Sequence, residues 1–144
     1  MREVVRAGDT FTYDPAMDAD TARAMWMVPA PGRTVVAVGD DHAVLGTANM
    51  YANRAGPGAH VASASFMVAA ARGRGLGRAL VRDALAWAGA AGYAGMQFNA
   101  VAASNRGAVA LYRALGFAVV GEVPGGFRHP VEGDVGLLVM YRPL

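Results

Sequence analysis

Neither cysteine nor lysine occurs anywhere in the chain. Without cysteine there are no disulfides, thiolate nucleophiles or cysteine-based zinc sites. Without lysine, a phosphate loop of the Gly-Lys-Ser/Thr kind is excluded as well. All 13 basic residues are therefore arginine, so the pI near 9.4 reflects residue type; the net charge is only +2. So small a charge gives bulk nucleic-acid binding little support. Charged residues are scarce at 17 %, against 54 % hydrophobic, which suits a compact globular chain and excludes a disordered one. His42, His60 and His129 are scattered without partners at ligand spacing, so no metal is expected. The opening Met1-Arg2-Glu3-Val4-Val5-Arg6 lacks the apolar core of a signal peptide, and no apolar run is long enough to span a bilayer. A cytoplasmic protein without membrane contact is the expectation.

The 144 residues fit one domain, residues 1–144, with no repeat or linker. Residues 2–7 read as the end of a helix closed by Gly8, and a second helix runs from Asp18 to about Met27. Two β-branched runs, 34–38 and 43–51, flank Gly39-Asp40-Asp41-His42 and predict a hairpin. A third strand, His60 to Val68, completes an antiparallel meander. Leu80, Val81, Ala84, Leu85 and Ala88 recur at helical spacing, with Gly89 and Gly92 as the stop and a strand over 96–101 beyond. That strand, loop, helix, strand unit is a right-handed crossover with its two strands parallel. Ser104 or Asn105 caps a further helix bearing Ala108, Leu111, Tyr112 and Leu115, stopped by Gly116. Strands over 117–123 and 135–141, joined by a loop from Pro124 to Asp134, close the chain.

The stretch that organises the rest is Phe66-Met67-Val68-Ala69-Ala70-Ala71-Arg72-Gly73-Arg74-Gly75-Leu76-Gly77-Arg78. Glycines at every second position let backbone approach a ligand, and the helix that follows aims its unpaired N–H groups at the turn. Arg72, Arg74 and Arg78 add positive charge, and together these features read as an anion site. A dinucleotide fingerprint needs glycine at position 78, where arginine stands, and a parallel sheet before it. A tight turn with solvated arginines and no ligand stays open on these residues alone.

Arg72-x-x-Gly75-x-Gly77, after a strand and opening a helix, resembles the pyrophosphate-binding signature of the GNAT superfamily of N-acyltransferases. Asn105-Arg106-Gly107-Ala108-Val109-Ala110-Leu111-Tyr112-Arg113-Ala114-Leu115-Gly116-Phe117 is similar to that family's second signature. The resemblance covers about residues 60–123. It implies an α/β (α+β) fold with a mixed, mostly antiparallel central sheet flanked by helices, and acetyl-coenzyme A as cosubstrate with no metal. It further implies that the backbone of Phe66, Met67 and Val68 takes the pantetheine arm between two splayed strands. Arg72, Gly73, Arg74, Gly75, Leu76, Gly77 and Arg78 would hold the pyrophosphate, with Asn105 a polar contact nearby. Tyr112 would be the general acid that protonates the departing thiolate; on spacing alone it is a core residue of an apolar stripe.

The acceptor implied is the amine of a small molecule, an amino acid or its analogue. Gln97-Phe98-Asn99-Ala100-Val101 followed by Asn105 is similar to a branch that acetylates proline analogues, which would put Asn99 on the acceptor. Ser63 stands where that branch has asparagine. Asp9 to Tyr13 resembles the aromatic loop of phosphinothricin-type acetyltransferases, adding Phe11 and Tyr13. No carboxylate identifies itself as the base; Glu122, at a strand end, is a candidate.

Two departures from the family pattern stand out. Three residues separate Val68 from Arg72 where four are usual, and the family's opening strand has no counterpart before Arg2. The sequence thus predicts either a truncated start or an exposed sheet edge, a liability unless a partner covers it, and a homodimer is one expected assembly. A non-catalytic acyl-coenzyme A sensor on the same fold is the alternative to an enzyme.

Overall fold

The computed structural model describes residues 2–69 and 75–144. Two helices, α1 (Arg2–Ala7) and α2 (Ala19–Trp26), precede the hairpin β1 (Arg33–Val38) and β2 (Val44–Ala52). After a 3-10 turn at Gly56–Gly58 come β3 (Val61–Val68), α3 (Leu76–Ala90), β4 (Gly95–Ala102), α4 (Arg106–Ala114), β5 (Ala118–His129) and β6 (Gly133–Pro143). The six strands form one sheet in the order β1-β2-β3-β4-β6-β5, in which only β3 and β4 run parallel. The mixed, mostly antiparallel sheet flanked by helices is the fold class expected. β1, which follows both α1 and α2, is one edge of the sheet, and β5 is the other.

Alternation along the strands assigns the two faces. Ala48, Met50, Ala62, Ala64, Met96 and Phe98 are buried in one cluster with Leu80, Val81, Ala84, Leu85 and Ala88 of α3. The α3 stripe read from the sequence is therefore the stripe that packs, and Leu111, Tyr112 and Leu115 of α4 join the same cluster. On the opposite face Met67 is buried with Val5 and Trp26, and Phe11 and Tyr13 pack against them.

A polar clamp holds α2 to this second face. The Trp26 carbonyl accepts from Thr34 Oγ1 at 3.0 Å and from the buried Asn49 Nδ2 at 3.2 Å, while the Trp26 indole N–H donates to Thr47 Oγ1 at 3.0 Å. Helix-end carbonyls without such partners would be left unsatisfied.

Two boundaries differ from the sequence reading. Gly89 lies inside α3, and the chain turns instead at Gly92, whose φ is +79°. Pro124 to Asp134 is not one loop: β5 continues to His129, and only residues 130–132 turn. Pro124, Gly125 and Gly126 fit into the strand as a bulge between Val123 and Phe127, with Gly125 at φ +63°. Turn-forming residues thus reshape a strand that its partner holds on both sides.

Candidate functional site

β3 and β4 pair only at their beginnings, Val61 with Gly95 and Ala62 with Met96. Beyond that point the ladder ends, although β3 stays paired to β2 as far as Val68 and β4 to β6 as far as Ala102. The two strands therefore splay, and backbone groups along the inner edges lose their strand partner. A bulge in β4 adds to the opening, because Asn99 and Ala100 stand between the pairs Phe98–Met140 and Val101–Leu138.

A cleft of about 200 Å³ occupies this splay. Since residues of both sheet faces line it, from Ser63 and Asn99 to Phe66 and Phe98, it connects the Phe11–Tyr13 loop on one side with α4 on the other. On the α4 side lie Tyr112, Asn105 and Ala108; on the loop side Phe11, Tyr13, Tyr51 and Ser65.

Tyr112 is held by aromatic neighbours: its ring lies 4.6 Å from that of Phe98, 6.0 Å from Phe117 and 6.3 Å from Phe66. Burial pushes its phenol up to about 12, so it keeps its proton throughout the neutral range. Its hydroxyl makes no hydrogen bond to any described residue.

Asn105 caps α4, its Oδ1 accepting from the Ala108 N–H at 3.2 Å. That use leaves its Nδ2 free of partners among the described residues while the residue lines the cleft.

Ser63 is buried at the cleft wall and pairs across the ladder with Tyr51. Asn99 is half-buried there: its Oδ1 accepts from Gln97 Nε2 at 2.8 Å and its Nδ2 donates to Asn53 Oδ1 at 2.6 Å. Phe11 stacks on Tyr13 at 5.2 Å and meets Trp26 edge-on at 6.3 Å, so the loop is anchored through the clamp on α2. Burial raises the Tyr13 phenol, with the nearby Ser65 hydroxyl pulling the other way. Tyr13 is thus a neutral hydroxyl and no base at ordinary pH.

Around the glycine turn, Arg72, Gly73 and Arg74 lie outside the described residues. Gly75 precedes α3 at φ +70°, a left-handed conformation that suits glycine. Among the described residues no side chain caps this helix. Gly77 in its first turn faces α4: a Cβ there would stand 3.4 Å from Leu111 Cδ2. Leu76 is half-buried, and Arg78 is exposed.

The expected residues thus divide. Phe66, Ser63, Asn99, Asn105, Tyr112, Phe11 and Tyr13 converge on one cleft, whereas the side chains of Met67 and Val68 pack into the two cores, leaving only backbone toward β4. Glu122 is exposed on the far strand β5, two strands from β4, and does not line the cleft. Thr10, Thr12, Tyr51 and Ser65 were not singled out from the sequence. Alternation in β2 and β3 puts Tyr51 and Ser65 on the same face as Ser63, which was the available signal. Among the described residues no group of three or more histidines or carboxylates converges on a metal position, and no helix is long and apolar enough to cross a membrane.

The sequence matches the profile of the Acetyltransferase (GNAT) family over residues 2–117. No curated protein matches it significantly. Among solved structures, a GCN5-related N-acetyltransferase from Kribbella flavida is 59 % identical, with a TM-score of 0.96 over 99 % of this chain and 87 % of that one. A phosphinothricin acetyltransferase from Sinorhizobium meliloti, solved in complex with acetyl-coenzyme A, is 26 % identical, with a TM-score of 0.77 over 90 % of this chain and 71 % of that one. YncA, a putative acetyltransferase from Salmonella typhimurium solved with acetyl-coenzyme A, shares the fold at 22 % identity, with a TM-score of 0.80 over 99 % of this chain and 83 % of that one.

Proposed function

The chain belongs to the GNAT acetyltransferase family, and from that premise we propose that it transfers the acetyl group of acetyl-coenzyme A to the amine of a small molecule, an amino acid or amino-acid analogue. The observation that carries this reading is the cleft through the sheet, with open strand edges along its walls and a protonated tyrosine on one side.

The inner edge of β3 from Ser63 to Val68 offers backbone donors and acceptors to an extended amide-bearing arm, as a further strand would. The first turn of α3, behind Gly75, offers unpaired N–H groups and the positive end of a helix dipole to a pyrophosphate. In this reading Arg72, Gly73, Arg74 and Arg78 complete that site, and the free Nδ2 of Asn105 donates to the arm nearer the chemistry.

In the reaction an amide bond forms at the acetyl carbon and the carbon–sulfur bond breaks. The amine gives up one proton and the sulfur gains one. Tyr112 supplies the proton to sulfur and recovers one from solvent. A phenol at about 12 is a weaker acid than a free thiol at roughly 8.5. Tyr112 therefore acts because the thiolate would form in the same desolvated aromatic surroundings, which penalise its charge too. The described cleft wall contains no carboxylate, so the amine enters neutral and passes the proton it loses on attack to water.

The acceptor would meet Asn99, Ser63 and the Phe11–Tyr13 loop. The 26 % identical phosphinothricin acetyltransferase supports an amino-acid analogue as the acceptor class. Thiol release from acetyl-coenzyme A, measured with phosphinothricin, L-azetidine-2-carboxylate, L-proline and L-methionine, tests the proposal. Release above the no-amine blank is expected for at least one. Calorimetric binding of acetyl-coenzyme A with no release for any would instead favour a non-catalytic acyl-coenzyme A sensor.

A further inference from the structure

Asn99 sits in the bulge of β4, where the ladder to β6 skips it, so its orientation depends on side-chain partners. Those partners form a line. Arg54 Nη1 donates to the Asn53 backbone carbonyl at 2.9 Å and to Asn53 Oδ1 at 3.4 Å; Asn99 Nδ2 donates to the same Oδ1 at 2.6 Å; Gln97 Nε2 donates to Asn99 Oδ1 at 2.8 Å. The Asn53 backbone is fixed independently, its N–H donating to the Val61 carbonyl at 2.7 Å.

A guanidinium has donors and no acceptor, whereas a carboxamide could face either way. Arg54 therefore sets the polarity of the whole line: it requires oxygen at the shared position of Asn53, which requires nitrogen from Asn99, which leaves the Asn99 oxygen toward Gln97. Each end of the Asn99 carboxamide retains one unused site, an N–H and a lone pair, at the cleft wall.

We infer that Asn53 and Arg54 are positioning residues that fix the sense in which the Asn99 carboxamide faces the acceptor half of the cleft. This rests on the reading above that Asn99 contacts the acceptor. An amine donating to the Asn99 oxygen is received in one orientation only, and reversing the amide would present N–H to N–H.

The test joins a spectroscopic and a kinetic readout. In ¹⁵N–¹H spectra of the intact protein, the Asn99 side-chain amide is expected as a single, slowly exchanging pair of resonances. Asn53→Leu should move that pair toward the shifts of an unbonded carboxamide and speed its exchange with solvent, and Asn53→Asp, which keeps the accepting oxygen, should preserve it. Arg54→Leu alters an exposed residue and should retain the fold while moving the Asn99 pair toward the average of two carboxamide orientations. An unchanged Asn99 pair in Asn53→Leu and Arg54→Leu overturns the inference. With L-azetidine-2-carboxylate and benzylamine as acceptors, Asn53→Leu should raise the acceptor KM about tenfold and leave the acetyl-coenzyme A KM unchanged. Asn99→Ala separates the two layers. If it leaves the acceptor KM unchanged, the acceptor reading fails; if it raises that KM while Asn53→Leu does not, the positioning role fails.

Discussion

Tyr112 and Phe98 hold their rings 4.6 Å apart at a tilt of 53°, and Phe98 in turn stacks on Phe117 at 4.3 Å. A helix residue is thereby locked against a strand residue beside the opening between β3 and β4. The packing uses the ring and leaves the hydroxyl to the cleft. Tyr112→Phe should keep the fold and the acetyl-coenzyme A affinity while lowering kcat by about 10²–10⁴-fold, the usual worth of a positioned general acid. Steady-state kinetics beside calorimetry with coenzyme A would check this. Full activity in the phenylalanine variant would remove Tyr112 from the chemistry.

The same burial has a consequence in alkali. An unfolded tyrosine ionises near 10, whereas Tyr112 in the fold ionises at about 12. Below pH 10 both states carry the proton, and the full stabilisation is present. As pH rises from 10 to 12 the unfolded chain gains by ionising first, so stability falls through that window. Chemical-denaturation midpoints between pH 9 and 11.5 should decline more steeply for the native protein than for Tyr112→Phe. Parallel curves would show that Tyr112 is not the group responsible.

Asn105 caps α4 and, in the proposed site, also meets the cosubstrate. Asn105→Ala should cost about 1 kcal/mol of stability through the lost cap on α4. Asn105→Asp keeps the accepting oxygen and a favourable charge at the helix start, so its melting temperature should match or exceed the native value. It loses the Nδ2 donor, however, and acetyl-coenzyme A should bind several-fold more weakly. Thermal melts paired with calorimetry on both variants distinguish capping from ligand contact.

Much of this was legible because it is local. The apolar stripes of α3 and α4 and the hairpin at Gly39 each follow from residues a few positions apart and appear as read, and of the two caps open for α4 the fold uses Asn105. What escaped depends on long-range register. Tyr51 reaches the cleft only because it pairs with Ser63, and Asn53 meets Asn99 across 46 positions of sequence. Pro124-Gly125-Gly126 misled in the other direction. Local turn chemistry there is overruled by a neighbouring strand, which holds β5 on either side of the bulge.

Gly77 separates packing from binding. A methyl group there would stand 3.4 Å from Leu111 Cδ2, an approach that a slight shift relieves, and alanine is the better helix former by about 1 kcal/mol. Gly77→Ala should therefore melt at or slightly above the native temperature. If the first turn of α3 receives a pyrophosphate through close backbone approach, the same substitution should weaken acetyl-coenzyme A binding several-fold. Unchanged affinity would remove that turn from the cosubstrate site.

The clamp at Trp26 links stability to the Phe11–Tyr13 loop proposed to meet the acceptor. Thr34 Oγ1 donates to the Trp26 carbonyl at 3.0 Å and accepts from the Val28 N–H at 3.3 Å, so valine at this position strips a partner from two backbone groups at once. Asn49 still serves the Trp26 carbonyl, but the Val28 N–H loses its side-chain acceptor. Thr34→Val should cost about 1–3 kcal/mol. Because Phe11 rests edge-on against Trp26, loosening the end of α2 should also raise the KM for whichever amine the protein acetylates, with the acetyl-coenzyme A KM unaffected. Thr34→Ser retains the hydroxyl and should restore both properties. If Thr34→Val lowers stability and leaves the acceptor KM at its native value, the aromatic loop is held independently of α2.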